Sequence, residues 1–174
     1  MRKGNENEKN KDKICVALDV DTAEQAELLV SQVKDYVGVF KIGMQLYSSE
    51  GPKIIEIISR HGAKIFLDLK YHDIPNTVAS ASKVITKLGV YMFNIHTTGG
   101  YEMMAKTAEA VRNESEKLNI AKPLILGVTV LTSINKSILA DNLKVTLPIE
   151  EYVIHLAGLA QKAGLDGVVA SPEE

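Results

Sequence analysis

The sequence predicts an α/β fold in which helices cover a parallel sheet. Short apolar runs rich in β-branched residues alternate along the chain with amphipathic stretches of helical length. The alternation repeats at roughly 25 to 35 residues, which is the size of one βα unit. The chain has 174 residues, 45% of them hydrophobic, so it contains enough apolar mass for one globular core.

Six runs are predicted to be strands because each is apolar, β-branched and closed by polar or glycine residues. They occupy residues 13–20, 38–43, 63–70, 90–100, 123–133 and 166–171. The first helix should begin near Asp21, because Asp21 and Glu24 have the spacing of a capping box. Pro148 should begin the last helix, and Gly164 should end it. The connection over residues 133–147 is the only long one, and such loops often carry function.

The two ends of the chain set the predicted domain boundaries. Residues 1–13 are polar and charged and lack the apolar stretch of a signal peptide, so we expect a disordered tail or an appended leader. Residues 14–174 are expected to form a single, incomplete βα domain. No stretch reaches the roughly 18 uninterrupted apolar residues of a membrane-spanning helix.

The composition favours a small ligand over a macromolecular partner. With a formal net charge of -2 and no basic cluster beyond the N-terminus, neither nucleic acid nor an anionic membrane is expected to bind. The single cysteine, Cys15, lies in an apolar run and is predicted to be a buried thiol of a cytoplasmic protein. The histidines are scattered singly, without metal-ligand spacing, so no metal site is expected.

Charged residues occur where three predicted strands end. Side chains alternate along a strand, so Asp68 and Lys70 should project together from the face opposite the aliphatic residues. The same alternation places Asp19 and Lys41 at the ends of the first two strands. Since the carboxyl ends of parallel strands carry the chemistry of α/β enzymes, these four residues are candidates for a site.

Asp68 and Lys70 have two interpretations. A structural ion pair or a solvated strand end is the simpler one. The alternative is catalytic, because a lysine flanked by carboxylates stays an ammonium ion and can donate a proton. Such an array suits a reaction in which negative charge develops on carbon and is protonated in place.

The motif around these residues resembles the signature of the orotidine 5'-phosphate decarboxylase family. Residues 68–77 read DLKYHDIPNT, and the continuation after the second aspartate separates this family from related sugar-phosphate enzymes. The resemblance extends over nearly the whole chain beyond the tail. It includes ALDVDT at 17–22, FKIG at 40–43, FNIHTTGG at 93–100, VTVLTS at 128–133 and GLDGVVASPEE at 164–174.

The resemblance implies a lyase of pyrimidine nucleotide synthesis that uses neither a metal nor an organic cofactor. Lys70 would protonate C6 of orotidine 5'-phosphate as carbon dioxide leaves, giving uridine 5'-phosphate. Asp68 would lie against the substrate carboxylate. Asp73 and Thr77 would reach across a two-fold interface into the site of a partner, so the active unit would be a homodimer.

The resemblance also implies substrate contacts elsewhere. Asp19 and Lys41 would hold the ribose hydroxyls, and Thr132 would bind near the base. Two alternatives stay open. One is a magnesium-dependent sugar-phosphate lyase of the same superfamily, and the other is an inactive scaffold that only binds nucleotide.

The family fold implied is a (β/α)8 barrel of the TIM type, which takes about 250 residues and eight strands. Only about six βα units are present in this sequence. The missing units would carry the groups that grip the substrate phosphate. The activity of the 174-residue chain by itself is therefore an open question, and we expect the chain to be part of a longer one.

Overall fold

The structure is a computed structural model that describes residues 10–171. It contains six strands, and their order in the sheet follows their order in the chain. The strands are β1 (Cys15–Ala17), β2 (Val39–Gly43), β3 (Lys64–Tyr71), β4 (Met92–His96), β5 (Leu124–Val128) and β6 (Gly167–Val169). The pairs β1–β2, β2–β3 and β5–β6 are parallel. All six predicted strands are confirmed.

Helices separate the strands. They are α1 (Ala23–Val33), α2 (Met44–Glu50), α3 (Lys53–Ser59), α4 (Pro75–Lys87), α5 (Gly100–Leu118) and α6 (Ile149–Lys162). A 3-10 turn at Thr97–Gly99 precedes α5, and a short π-helical turn at Ile138–Asn142 lies within the predicted long connection. The predicted alternation of strands and helices, and with it the α/β class, is confirmed.

The cap of α1 differs from the prediction by one residue. Thr22 is the N-cap residue, and its side chain accepts a hydrogen bond from the backbone N–H of Gln25. The Gln25 side chain accepts in return from the backbone N–H of Thr22. The prediction from Asp21 and Glu24 was therefore wrong by one position. The pairs Asp21/Glu24 and Thr22/Gln25 are each three positions apart, so sequence alone did not separate them.

The described residues divide into two compact units, one formed by residues 10–69 with Lys87–Phe93 and the other by Lys70–Thr86 with residues 94–171. The first unit buries aliphatic and aromatic side chains of β2, β3 and the helices that follow β2. The fully buried ones include Phe40, Ile42, Leu46, Ile54, Ile58 and Leu67. The strand residues among them, Phe40, Ile42 and Leu67, face away from the charged residues of β2 and β3, as strand alternation requires.

Residues 10–13 pack within the first unit, whereas the rest of the predicted tail, residues 1–9, lies outside the described residues. The backbone N–H of Gly38 donates to the carbonyl of Lys11 at 2.8 Å, and Lys64 pairs with Asp12 at 3.0 Å. A Cβ atom at Gly38 would lie 2.5 Å from Cα of Asp12, so this close approach requires glycine. The single domain over residues 14–174 stays a prediction.

Cys15 is exposed, so the prediction of a buried thiol was wrong. Its strand, β1, is the first in the sheet order and pairs with β2. The face of β1 that carries Cys15 and Ala17 is exposed among the described residues. An apolar run predicts a strand, but it does not show whether both faces of that strand are covered.

The second unit has its own apolar core and its own strand pair. Fully buried residues include Ile95, Met103, Met104, Val111 and Ile125. Two bonds join the start of β5 to the residue before β6: the N–H of Asp166 donates to the carbonyl of Ile125 at 3.0 Å, and the N–H of Ile125 donates to Asp166 Oδ2 at 2.9 Å. Val153, Leu156 and Ala160 are the buried face of α6. The helix predicted after Pro148 is therefore confirmed.

Candidate functional site

In the first unit, three predicted site residues lie together. Lys41 Nζ is 3.3 Å from Asp19 Oδ1 and 3.5 Å from Asp68 Oδ2. The strand register explains the convergence, because Ala17 is opposite Lys41 and Gly43 is opposite Asp68. Asp19 follows the end of β1 by two residues, so all three side chains project at the carboxyl ends of the strands.

The two carboxylates around Lys41 differ in exposure. The Asp68 side chain is 13% exposed and that of Lys41 is 23% exposed, whereas that of Asp19 is 68% exposed. Water and salt screen an exposed pair, and such pairs stabilise by about 0 to 1 kcal/mol. Coulomb attraction between Lys41 and Asp68 is screened less because both groups are largely removed from water. Asp68 is therefore the stronger partner of Lys41.

The segment that carries Asp19 is fixed by polar contacts from α2. Gln45 Nε2 donates to Asp21 Oδ1 at 2.6 Å, and Ser49 Oγ donates to the Asp21 carbonyl at 2.7 Å. Glu50 accepts from the first backbone N–H of α1, that of Ala23, at 2.9 Å. These bonds hold the turn between β1 and α1, and with it the position of Asp19.

In the second unit, Lys70 has an unusual backbone conformation. Its φ is +51°, in the left-handed region that residues with a Cβ atom seldom adopt. Its backbone N–H donates to Asn94 Oδ1 at 2.8 Å, and Asn94 is only 1% exposed. Strand alternation assumes an extended backbone, so the direction predicted for the Lys70 side chain does not follow from alternation alone.

Two histidines of the second unit lie close to each other. The ring centroids of His72 and His96 are 5.2 Å apart, with the planes tilted by 37°. Burial lowers the pKa of His96 below its ordinary value of 6.5, and the electrostatic influence of the neighbouring His72 and Lys70 lowers it further. His96 is therefore neutral at physiological pH.

Asp73 and Thr77 lie at the start of α4, and both are exposed. Asp73 Oδ1 accepts a hydrogen bond from the backbone N–H of Ile74 at 2.6 Å. The N–H of Thr77 donates to the carbonyl of Ile74 at 3.0 Å. Pro75 is the first residue of the helix, a position that suits proline because its N–H is not needed there. This turn presents both side chains to solvent.

Thr132 lies in an exposed turn after β5. Near the same end of β5 is a cavity of about 360 Å³, largely apolar, lined by His72, His96, Thr129, Leu139 and Tyr152 among others. Thr129 is itself bound, since its hydroxyl donates to the carbonyl of Val169 at 3.1 Å. Leu139 comes from the π-helical turn, so the connection over residues 133–147 forms one wall of this cavity.

Comparison with known proteins identifies the family. A family model described as "Orotidine 5'-phosphate decarboxylase / HUMPS family" matches residues 12–174. The chain belongs to this family. The orotidine 5'-phosphate decarboxylase of Syntrophomonas wolfei is 49% identical over 164 residues, which are 94% of this chain and 69% of that protein. The one from Syntrophotalea carbinolica is 51% identical over 162 residues, 93% of this chain and 66% of that protein.

Solved structures agree with the family assignment. The crystal structure of orotidine 5'-phosphate decarboxylase from Lactobacillus acidophilus superposes with a TM-score of 0.84 at 37% identity, over 92% of this chain and 72% of that one. The enzyme from Methanocaldococcus jannaschii, complexed with the inhibitor BMP, gives 0.71 at 28% identity, over 94% and 70%. The predicted barrel-type fold, with about six of its βα units in this chain, is confirmed. The chain spans about two thirds of the length of the curated family members it matches.

The described residues contain neither a membrane-spanning helix nor a cluster of metal-ligating side chains. Within residues 10–171, no helix is long and apolar enough to cross a bilayer. Among the same residues, no three side chains of the types His, Cys, Asp and Glu are grouped so that they could share a metal ion.

Sequence reasoning missed two features of the site. It placed Asp19, Lys41 and Asp68 at one rim but did not predict that Lys41 itself lies between the two carboxylates. It also missed the contact between Asn94 and the backbone of Lys70. The sequence contains a signal for each feature. Lys41 lies in β2, between the strands that end near Asp19 and Asp68, and Asn94 is a lone amide in the apolar run MFNIH.

Proposed function

We propose that this chain carries the decarboxylation site of an orotidine 5'-phosphate decarboxylase of the cytoplasm. The family match over residues 12–174 carries this proposal. The pairing of Lys41 with Asp19 and Asp68 supports it, because the family motifs fall on residues that lie together. The substrate is orotidine 5'-phosphate, and the products are uridine 5'-phosphate and carbon dioxide.

Lys70 is the proton donor in the proposed reaction. The bond between C6 and the carboxylate carbon breaks, its electron pair stays on C6, and carbon dioxide leaves. The Lys70 ammonium transfers a proton to C6, and the resulting amine regains a proton from water. Asp68 repels the substrate carboxylate and so favours its departure. The proposed reaction uses neither a metal nor an organic cofactor.

The other proposed roles concern substrate binding and the dimer. Asp19 and Lys41 hold the ribose hydroxyls, and Thr132 lies near the base. Asp73 and Thr77 enter the site of a second copy of the chain, so the working unit is a homodimer. The exposure of both side chains at the start of α4 supports this role, since they are accessible to a partner.

Replacement of the acid tests the mechanism. We expect Lys70→Ala to be inactive, so that orotidylate absorbance stays constant, while calorimetry still detects uridylate binding to the chain. Lys83→Ala, a change of an exposed lysine on α4, is the matched control and should keep the wild-type rate. Undiminished turnover by Lys70→Ala would refute the assignment. Uridylate binding without orotidylate turnover by the wild-type chain would identify it as a nucleotide-binding scaffold instead.

A chelator separates the remaining alternative. The family description includes both decarboxylases and HUMPS enzymes. Consumption of a hexulose or pentulose phosphate that stops on chelation would identify a magnesium-dependent lyase. Orotidylate turnover that is indifferent to chelator supports the decarboxylase.

Mixing two inactive variants tests the shared site. If Asp73 acts in the partner's site, then a mixed dimer of Lys70→Ala and Asp73→Asn contains one site with both changes and one intact site. The mixture should recover roughly a quarter of the wild-type activity, because half of the dimers are mixed. If the mixture stays inactive although mixed dimers form, Asp73 acts within its own chain.

A further inference from the structure

The backbone of Lys70 is conformationally exceptional. Three residues other than glycine have a positive φ among residues 10–171, namely Lys70, Asn119 and Lys144. Asn119 caps the C-terminus of α5, where a left-handed residue is usual. Lys144 lies in the connection before α6. Lys70 is the member of this group that lies inside a strand, where an extended backbone is the norm.

Asn94 is placed to hold that conformation. It lies in β4 between Phe93 and Ile95, both fully buried. A carboxamide at 1% exposure is costly unless its polar atoms are bonded, and its Oδ1 accepts the Lys70 N–H at 2.8 Å. In a regular ladder, a strand N–H donates to the carbonyl of a neighbouring strand. At Lys70 a side chain accepts instead, so the backbone can leave the extended region while its N–H stays bonded.

We infer that Asn94 is a positioning residue for Lys70: its carboxamide holds the backbone of Lys70 in the left-handed region and so sets the direction of the ammonium group. This inference rests on the proposed role of Lys70 as the proton donor. The direction of a side chain is set first by φ and ψ at its own Cα atom, because these angles orient the Cα–Cβ bond. A backbone that relaxed toward an extended conformation would turn the long Lys70 side chain and misplace its nitrogen.

A comparable buried hydrogen bond in the second unit, that of Thr97, serves as a structural control. Thr97 is fully buried, and its hydroxyl donates to the carbonyl of Val128 at 2.8 Å. This bond, like that of Asn94, joins a buried side chain to the backbone. It does not involve Lys70. Thr97→Val is therefore a control for the loss of a buried hydrogen bond in the same unit.

Three variants test the inference. Asn94→Leu keeps the side-chain volume and removes the acceptor, whereas Asn94→Asp keeps an acceptor oxygen. For orotidylate turnover, we expect kcat of Asn94→Leu to fall about 100-fold, the loss that a displacement near 1 Å can cause, with KM changed less than about threefold. The kcat of Asn94→Asp should be at least about tenfold higher than that of Asn94→Leu. Thr97→Val should lower the melting temperature and leave kcat within about twofold of wild type.

Amide hydrogen exchange gives a readout that does not depend on turnover. In Asn94→Leu the amide of Lys70 should exchange faster than in the wild type, while in Thr97→Val and Asn94→Asp it should stay protected. An unchanged exchange rate in Asn94→Leu overturns the inference, whatever the activity. If Asn94→Leu does not fold, Asn94→Asp decides: a protected Lys70 amide with kcat as low as that of Lys70→Ala also overturns it.

The outcomes separate this inference from the proposed function. If Lys70→Ala turns over orotidylate at the wild-type rate, the proposed function fails. If Lys70→Ala is inactive and Asn94→Leu keeps full kcat, the function stands and the positioning role fails. If both variants lose kcat and Asn94→Asp recovers it, both are supported.

Discussion

Lys41 in the first compact unit and Lys70 in the second are both lysines near the ends of strands, and a different feature distinguishes each: the ammonium contacts of Lys41 and the main-chain conformation of Lys70. At Lys41 the ammonium group is fixed, because it lies between Asp19 and Asp68 at 3.3 and 3.5 Å. At Lys70 the main chain is fixed, because its N–H is bonded to a buried amide at a positive φ. Charge placement follows from sequence and register, whereas an exceptional backbone conformation depends on a residue distant in the chain.

The largest effect should come from the removal of the charge on Lys41. Lys41→Met leaves the largely buried Asp68 without its Lys41 partner, which should lower the free energy of unfolding by about 2 kcal/mol, between the values for exposed and buried pairs. Lys64→Met is the control, because Lys64 pairs with Asp12 at the surface, with side chains 43% and 55% exposed. Chemical denaturation measures both. An equal loss in the two variants would mean that Lys41 is not held by a buried charge.

The backbone of Lys70 predicts a reversal of the usual order of alanine and glycine. Lys70→Gly should be more stable than Lys70→Ala by about 1 to 2 kcal/mol, because glycine adopts a positive φ without strain. At Lys64, in the same strand but without a positive φ, alanine should be the more stable replacement. Thermal unfolding of the four variants measures this. The same order at both positions would show that Lys70 is not strained.

His96 predicts a smaller, pH-dependent effect in the second unit. Its pKa is lowered in the folded state by burial and then by His72 and Lys70, so the unfolded chain binds a proton first as the pH falls. The stability associated with the neutral imidazole is present above pH 6.5, its ordinary value, and is lost as the pH falls through the folded pKa. Denaturation between pH 8 and 5 should show a smaller loss for His96→Gln than for the wild type. Equal slopes would contradict this origin.

The smallest effect should come from Asp19. Because its side chain is 68% exposed, Asp19→Asn should change stability by about 0.5 kcal/mol at low salt and by less at high salt. The matched change Asp68→Asn should cost more and should respond less to salt, since that side chain is 13% exposed. Denaturation at two ionic strengths measures the difference. A larger effect at Asp19 than at Asp68 would reverse our ranking of the two partners.

Much of the fold could be predicted from the sequence, because its signals are local. Each strand is an apolar run that ends in polar residues, and the helix Ile149–Lys162 lies between Pro148 and Gly164, two residues whose backbone preferences are strong. The cap of α1 was misplaced by one residue because two overlapping spacings satisfy the same rule. The exposure of Cys15 was missed because burial depends on which elements cover a strand, and the sequence of β1 does not contain that information.

The site was predictable only in part, for a similar reason. Alternation along β2 and β3, together with parallel register, brings Lys41 to the two aspartates, and both inputs can be inferred from sequence. The positive φ of Lys70 could not be inferred, because the left-handed region is usually marked by glycine or asparagine, and neither Lys70 nor its neighbours Leu69 and Tyr71 is of these types. Its stabilising contact comes from Asn94, 24 positions later. The roles of the site residues in the reaction stay predictions.

The exposed thiol on β1 has a practical consequence. Cys15 is the single cysteine of the 174 residues, and it shares its strand face with Ala17, which is opposite Lys41 in the register. A fluorophore or spin label attached through a maleimide would therefore occupy one known position, two residues before Ala17 on the same strand. Such a probe would test whether the proposed ligand binds in the first unit, without any engineered attachment point.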